Sequence, residues 1–114
     1  MIMADGIIPL NMSKAISINV EFGISGGTTA ITAYRENDIV YVQGYSTVTI
    51  PGGSIVLKGL PTPRTLNDRF ICLDDSLTIH IMYFEQVLNS TNIKVSSIGG
   101  PLTGIQFSIS YIAA

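Results

Sequence analysis

Alternation with a period of two is the feature that most limits what this chain can become. Ile16, Ile18, Val20 and Phe22 interleave with Ser17, Asn19 and Glu21, and Ile105, Phe107, Ile109 and Tyr111 interleave with Gln106, Ser108 and Ser110. Successive side chains of an extended strand point to opposite faces, so such spacing places one apolar row against a core and one polar row outside. Between these two segments the same reading predicts strands at Thr28 to Tyr34, Ile39 to Val42, Tyr45 to Ile50, Ile55 to Leu57, Phe70 to Leu73, Leu77 to Phe84 and Ile93 to Ile98. Polar, Gly and Pro clusters punctuate them: Gly23 to Gly27, Arg35 to Asp38, Pro51-Gly52-Gly53, Asp74-Asp75-Ser76 and Gly99-Gly100-Pro101. Leu60-Pro61-Thr62-Pro63 predicts an extended, polyproline-like stretch, because each proline also restricts its predecessor. Phe84 to Leu88 is compatible with a single helical turn or with extended chain. Eight or nine strands and no substantial helix predict an antiparallel β-sandwich of jelly-roll type. One domain spans residues 1–114, with 1–15 as an N-terminal extension.

Only 12% of the 114 residues are charged, and the net charge is −2. A nucleic-acid partner needs clustered Lys and Arg, and Arg64 to Arg69, interrupted by Asp68, is not such a cluster. No apolar run approaches the roughly 20 residues of a membrane-spanning helix. The first residues, Met1 to Gly6, lack the basic and long apolar regions of a signal peptide. Asn11-Met12-Ser13 and Asn89-Ser90-Thr91 match the glycosylation acceptor pattern and read as polar loops. Cys72 is the only cysteine, which excludes an intrachain disulfide and a thiolate zinc site. In Phe70-Ile71-Cys72-Leu73 it reads as a small buried hydrophobe.

Catalytic patterns are sparse. His80 is the only histidine and lies within an apolar strand, where a packed or interface role is expected. Gly23-Ile24-Ser25-Gly26-Gly27 misses the Gly-x-Ser-x-Gly nucleophile elbow and no helix follows, so it reads as a loop. Asp74-Asp75 suits a turn, or half of a calcium site if loop carbonyls contribute. Gly99-Gly100-Pro101 lacks the lysine and helix of a phosphate loop. No cofactor and no metal are expected, and a small hydrolase is the weakest of the functional readings.

The strand from Leu77 to Phe84 breaks the in-out rule. Leu77, Ile79, Ile81 and Tyr83 share one face, and Thr78, His80, Met82 and Phe84 the other. An antiparallel sheet with one wet face should alternate cleanly. Met82 and Phe84 are the outer-face candidates and need cover from another strand of the chain, a terminus or another subunit, and the scarcity of charge favours a subunit interface.

Val40 to Gly44, Ile50 to Pro63 with its Leu60-Pro61 step and second proline, and the final Ile105 to Tyr111 strand resemble the head domains of bacteriophage tail-fibre and receptor-binding proteins. The layout is also similar to the trimeric jelly rolls of the complement and tumour necrosis factor type. The resemblance implies a homotrimer with the last strand near the threefold axis, on a virion surface after assembly in the host cytoplasm. It also implies attachment to a host cell-surface saccharide or to another virion protein. The candidate contacts are the polar loop residues Arg35, Asn37, Arg64, Asp68, Arg69, Asp74 and Asp75. A structural protein decorating a capsid, or a baseplate or tail accessory, is the alternative.

Overall fold

The structure is a computed structural model and describes residues 15–114. The expected extension, apart from Ala15, and the Asn11 triplet lie outside the described residues. Nine strands form one antiparallel sheet: β1 (Ile16–Ser17), β2 (Glu21–Phe22), β3 (Thr29–Glu36), β4 (Ile39–Ile50), β5 (Ile55–Lys58), β6 (Arg69–Leu73), β7 (Ile79–Phe84), β8 (Ile93–Val95) and β9 (Leu102–Ile112). Their spatial order is β1-β3-β4-β9-β6-β7-β8-β5-β2, and no helix occurs among the described residues. The all-β, jelly-roll-like class expected from the alternation is the class observed.

Two short elements show how strongly the sheet curls. β1 pairs with β3 at one edge, and β2 pairs with β5 at the other. Laid flat, eight inter-strand spacings would separate those edges by roughly 38 Å. Ser17 and Glu21 are four residues apart, a reach of at most about 14 Å. The sheet must roll until its edges nearly meet. The segment expected as one strand from Ile16 to Phe22 thus divides between two edges, with Ile18 N–H donating to Ala33 O and Gly23 N–H to Val56 O. Ile18, Val20 and Phe22 pack against the core as their alternation predicts, whereas Ile16 is exposed.

Other boundaries shift for local reasons. The expected four-residue turn at Arg35 to Asp38 narrows to Asn37-Asp38, with Asn37 at φ 55°, a conformation asparagine tolerates. The two strands expected at Ile39 to Val42 and Tyr45 to Ile50 are one continuous β4. Thr47 and Val48 of β4 oppose the single residue Gly104 of β9, a bulge that resets the inward phase of β9 from Leu102 to Ile105. Phe84 to Leu88 leaves β7 as a turn rather than a helical one.

The rolled sheet encloses Val40, Val42, Ile50, Leu57, Phe70, Met82, Phe84, Ile93, Leu102, Ile105 and Tyr111. Phe84 lies edge-on to Tyr111, ring centroids 4.9 Å apart, and to Phe70 at 6.1 Å. Leu60 is buried, and Tyr111 Oη donates to Pro61 O at 2.6 Å, so the proline segment is clamped against β9. Burial pushes the Tyr111 hydroxyl well above its ordinary range.

The faces of β7 are the reverse of expectation. Met82 and Phe84 are fully buried, and Ile79 and Ile81 face outward. Both rows are apolar, so periodicity alone cannot choose between them. The register decides it: Phe70 pairs with Met82 and Cys72 with His80, which stacks the larger and softer side chains inside.

Candidate interaction surfaces

Outward-facing residues of five adjacent strands build a trough. Ala30 of β3 is in register with Tyr45 of β4, Tyr45 with Gln106 of β9, Gln106 with Leu73 of β6, and Leu73 with Ile79 of β7. With Thr32, Gln43, Ile71 and Ser108 they line a groove of about 620 Å³ in which no side chain is charged. Its β6–β7 side is apolar: Ile79 is 61% exposed and Ile71 58%. Ile81 extends the same exposed face, whereas Leu77, expected to open this strand, lies instead in the β6–β7 turn at φ 63° and is exposed there. The sequence expectation of apolar side chains on both faces of this strand therefore holds, with the outer set being Ile79 and Ile81.

A second, polar cleft of about 350 Å³ lies at the end of the sheet that carries the β3–β4 turn, lined by Ile39, Arg64, Thr65, Asp68, Ser110 and Ile112. The chain end reaches it because Ala113 N–H donates to Asp38 O and Arg64 N–H to Ile112 O. Asp38 joins two cations: Arg64 Nη2 lies 3.4 Å from it and Arg35 Nη2 3.9 Å. These pairs are solvent-exposed, so they orient the side chains and add little stability. Arg35 Nε also donates to Asn37 O at 2.8 Å. Arg69 donates to Asp68 O and lies over the Tyr83 ring, 5.4 Å from its centroid. Five of the seven candidate contacts, Arg35, Asn37, Arg64, Asp68 and Arg69, thus gather at this end.

Asp74 and Asp75 sit at the opposite end, in the β6–β7 turn. Asp74 Oδ1 accepts from Ser76 N–H and Thr78 N–H, both at 2.9 Å, while Oδ2 is 3.0 Å from His80 Nε2. An ionised carboxylate only accepts, so Nε2 carries the hydrogen. Both oxygens are engaged inside the protein, and among the described residues no group of three or more His, Cys, Asp or Glu could hold a metal. The turn reading of Asp74 is the one the geometry bears out. His80 is 3% exposed, as expected of a packed residue, and its Nδ1 has no partner among the described residues. Cys72 Sγ lies 3.6 Å from His80 O, and burial, reinforced by Asp74, pushes its thiol up to about 11. A thiol so shifted is protonated and unreactive at neutral pH.

The His80 hydrogen bond, followed by that from Thr78 N–H, holds the Asp74 carboxyl below its usual range. A depressed folded value gives stability that is fully present above the unfolded pKa, about 3.9, and lost as pH falls through the folded one. In urea unfolding, the gap between wild type and Asp74→Asn should therefore close progressively on acidification below about pH 4. An unchanged gap across that window would assign the depression to another carboxylate.

No protein-family model matches this chain, and neither a curated protein nor a solved structure is significantly similar to it.

Proposed function

We propose that the protein is a non-enzymatic surface component of a bacteriophage virion, assembled in the host cytoplasm, that works as a homotrimeric attachment head. Supporting this reading is the uncharged trough on the outer face of the central strands, with Ile71 and Ile79 left uncovered by the described residues. An exposed apolar patch of this kind marks a surface that meets another macromolecule, and desolvating it carries no charge penalty. The polar cleft at Arg64 and Asp68 then supplies the attaching end. Guanidinium, carboxylate and hydroxyl groups beside the apolar walls of Ile39 and Ile112 suit hydrogen bonding to a host-surface saccharide without a covalent step.

Multi-angle light scattering at several concentrations tests the assembly and should return three times the chain mass. A glycan array and a pull-down on host cell walls test the attachment, with Arg64→Ala as the variant expected to lose signal. A protein that assembles yet binds no glycan belongs instead to the virion's structural decoration, for which an uncharged protein-binding face is equally suited. Monomeric protein at every concentration would remove the assembly on which both readings rest.

A further inference from the structure

β9 is not paired along its whole length, and the unpaired stretch forms one wall of the polar cleft. Ala113 N–H donates to Asp38 O on the β4 side, whereas Arg64 N–H donates to Ile112 O and Ala114 N–H to Thr62 O on the other. Peptide groups of a strand alternate sides, so Ser110, like Ile112, turns its N–H and C=O away from β4. At the chain end, Pro63 lies opposite Ala113 on that side. Further back β6 takes over, with Cys72 opposite Phe107. Between those two pairs the outer segment advances nine residues and β9 only six. Three surplus residues therefore bow out of the ladder between Arg64 and Arg69.

Leu66 is the residue that the Pro63–Ala113 register would set against Ser110. Its side chain packs on the core, and its carbonyl accepts from Gln86 Nε2 at 2.8 Å and from Arg69 Nη1 at 3.4 Å. Among the described residues Ser110 is thus left without a backbone partner on that side. The gap runs from Ser108 to Ile112, about 14 Å at ordinary strand rise, and ladder bonds close both its ends. Thr65 and Asp68 stand across it. Ile39 and Ile112, in register and partly exposed, flank it.

We propose that this gap takes the acetamido group of an N-acetylated amino sugar as a missing rung of the sheet. The inference rests on the saccharide reading above and names the sugar class. In a trans amide the N–H and C=O point in opposite directions, so one acetamido group bridges the two walls. Its carbonyl accepts from Ser110 N–H, and its N–H donates to the Asp68 carboxylate opposite. A ring hydroxyl donates to Ser110 O, and the methyl group lies against Ile112 and Ile39. An extended peptide would satisfy the same groups but needs an open sheet edge to run along, and this gap is closed at both ends. At about 350 Å³ the cleft is near the lower limit for small-ligand sites, which suits a single pyranose ring.

Two trisaccharides test it: triacetylchitotriose and cellotriose, which differ only in the group beside the anomeric carbon, acetamido or hydroxyl. In an NMR titration of the full chain, triacetylchitotriose should move the Ser110 amide proton downfield, as a newly donated hydrogen bond does. It should also bind at least about tenfold more tightly than cellotriose. Asp68→Ala should weaken that binding by about tenfold or more, with thermal melting to verify the fold. Equal affinity for the two trimers, or retention on host cell walls with neither trimer bound, would overturn the acetamido assignment and leave the saccharide reading standing. A Ser110 shift produced by a capped dialanine peptide and by neither sugar would overturn it in favour of a peptide acceptor. Failure to bind either trimer or host cell walls would overturn both readings.

Discussion

Phe84→Ala is expected to destabilise the domain by about 3–5 kcal/mol, the usual cost of truncating a fully buried aromatic. Phe84 is wholly inaccessible and is the hub of an aromatic cluster, edge-on to both Tyr111 and Phe70. It is also in register with buried Ile93, so its removal opens a cavity bounded by β strands that cannot collapse without breaking their ladders. Domains of this size have about 5–15 kcal/mol in total, so the variant should melt at a much lower temperature or fail to accumulate. Phe84→Leu, which retains most of the volume, should cost less than half as much. Equal losses from both, measured by urea midpoints, would mean that the ring is not packed as described.

Gly104→Ala should have the next largest effect, about 2–3 kcal/mol. Gly104 lies at φ +77°, where a side chain is strained, and a Cβ there would overlap the Asp75 carboxylate. Asp75 cannot swing the backbone away freely, because its N–H donates to Thr103 O at 2.9 Å. Strain and overlap can be separated. Asp75→Gly should relieve the overlap alone, so the double variant should be more stable than the sum of the two single losses. Strict additivity would leave the backbone conformation as the whole cause.

Much of this architecture is written locally. The regular 105–111 alternation, the breaks at Pro51-Gly52-Gly53 and Gly99-Gly100-Pro101, and the buried Cys72 run all follow from residue type and spacing. What escapes local reading depends on partners far along the chain. Nothing between Ile16 and Phe22 signals that its halves pair with strands on opposite edges. In β7, Ile79-Ile81 and Met82-Phe84 are equally apolar rows, and only register with β6 assigns them inside or out. The polar end assembles because β9 delivers Ala113 to Asp38 and Ile112 to Arg64, so Arg35, Asn37, Arg64, Asp68 and Arg69 were legible as loop residues but not as neighbours. The trough is subtler still, because five strands contribute alternate residues and no single segment announces it. Its one visible trace in the sequence is the doubly apolar character of Leu77 to Phe84. Asp74, by contrast, reads from the sequence as a contact or turn residue, while its tie to His80 is not visible from spacing.

The position of β9 bears on how the molecule is made. It joins β4 to β6 across the middle of the sheet, yet it is synthesised after every other described strand. Until it arrives, β4 and β6 each present a raw border of unpaired peptide groups, the kind of surface on which nascent chains coalesce. A product cut short ahead of Leu102 would not be a weaker version of this domain but two half-sheets with no ladder between β4 and β6, joined only through the short segment from Ile16 to Phe22 and the β4–β5 turn. Gln106 and Ser108 of β9 also line the trough, so the proposed assembly surface would exist only on a finished chain.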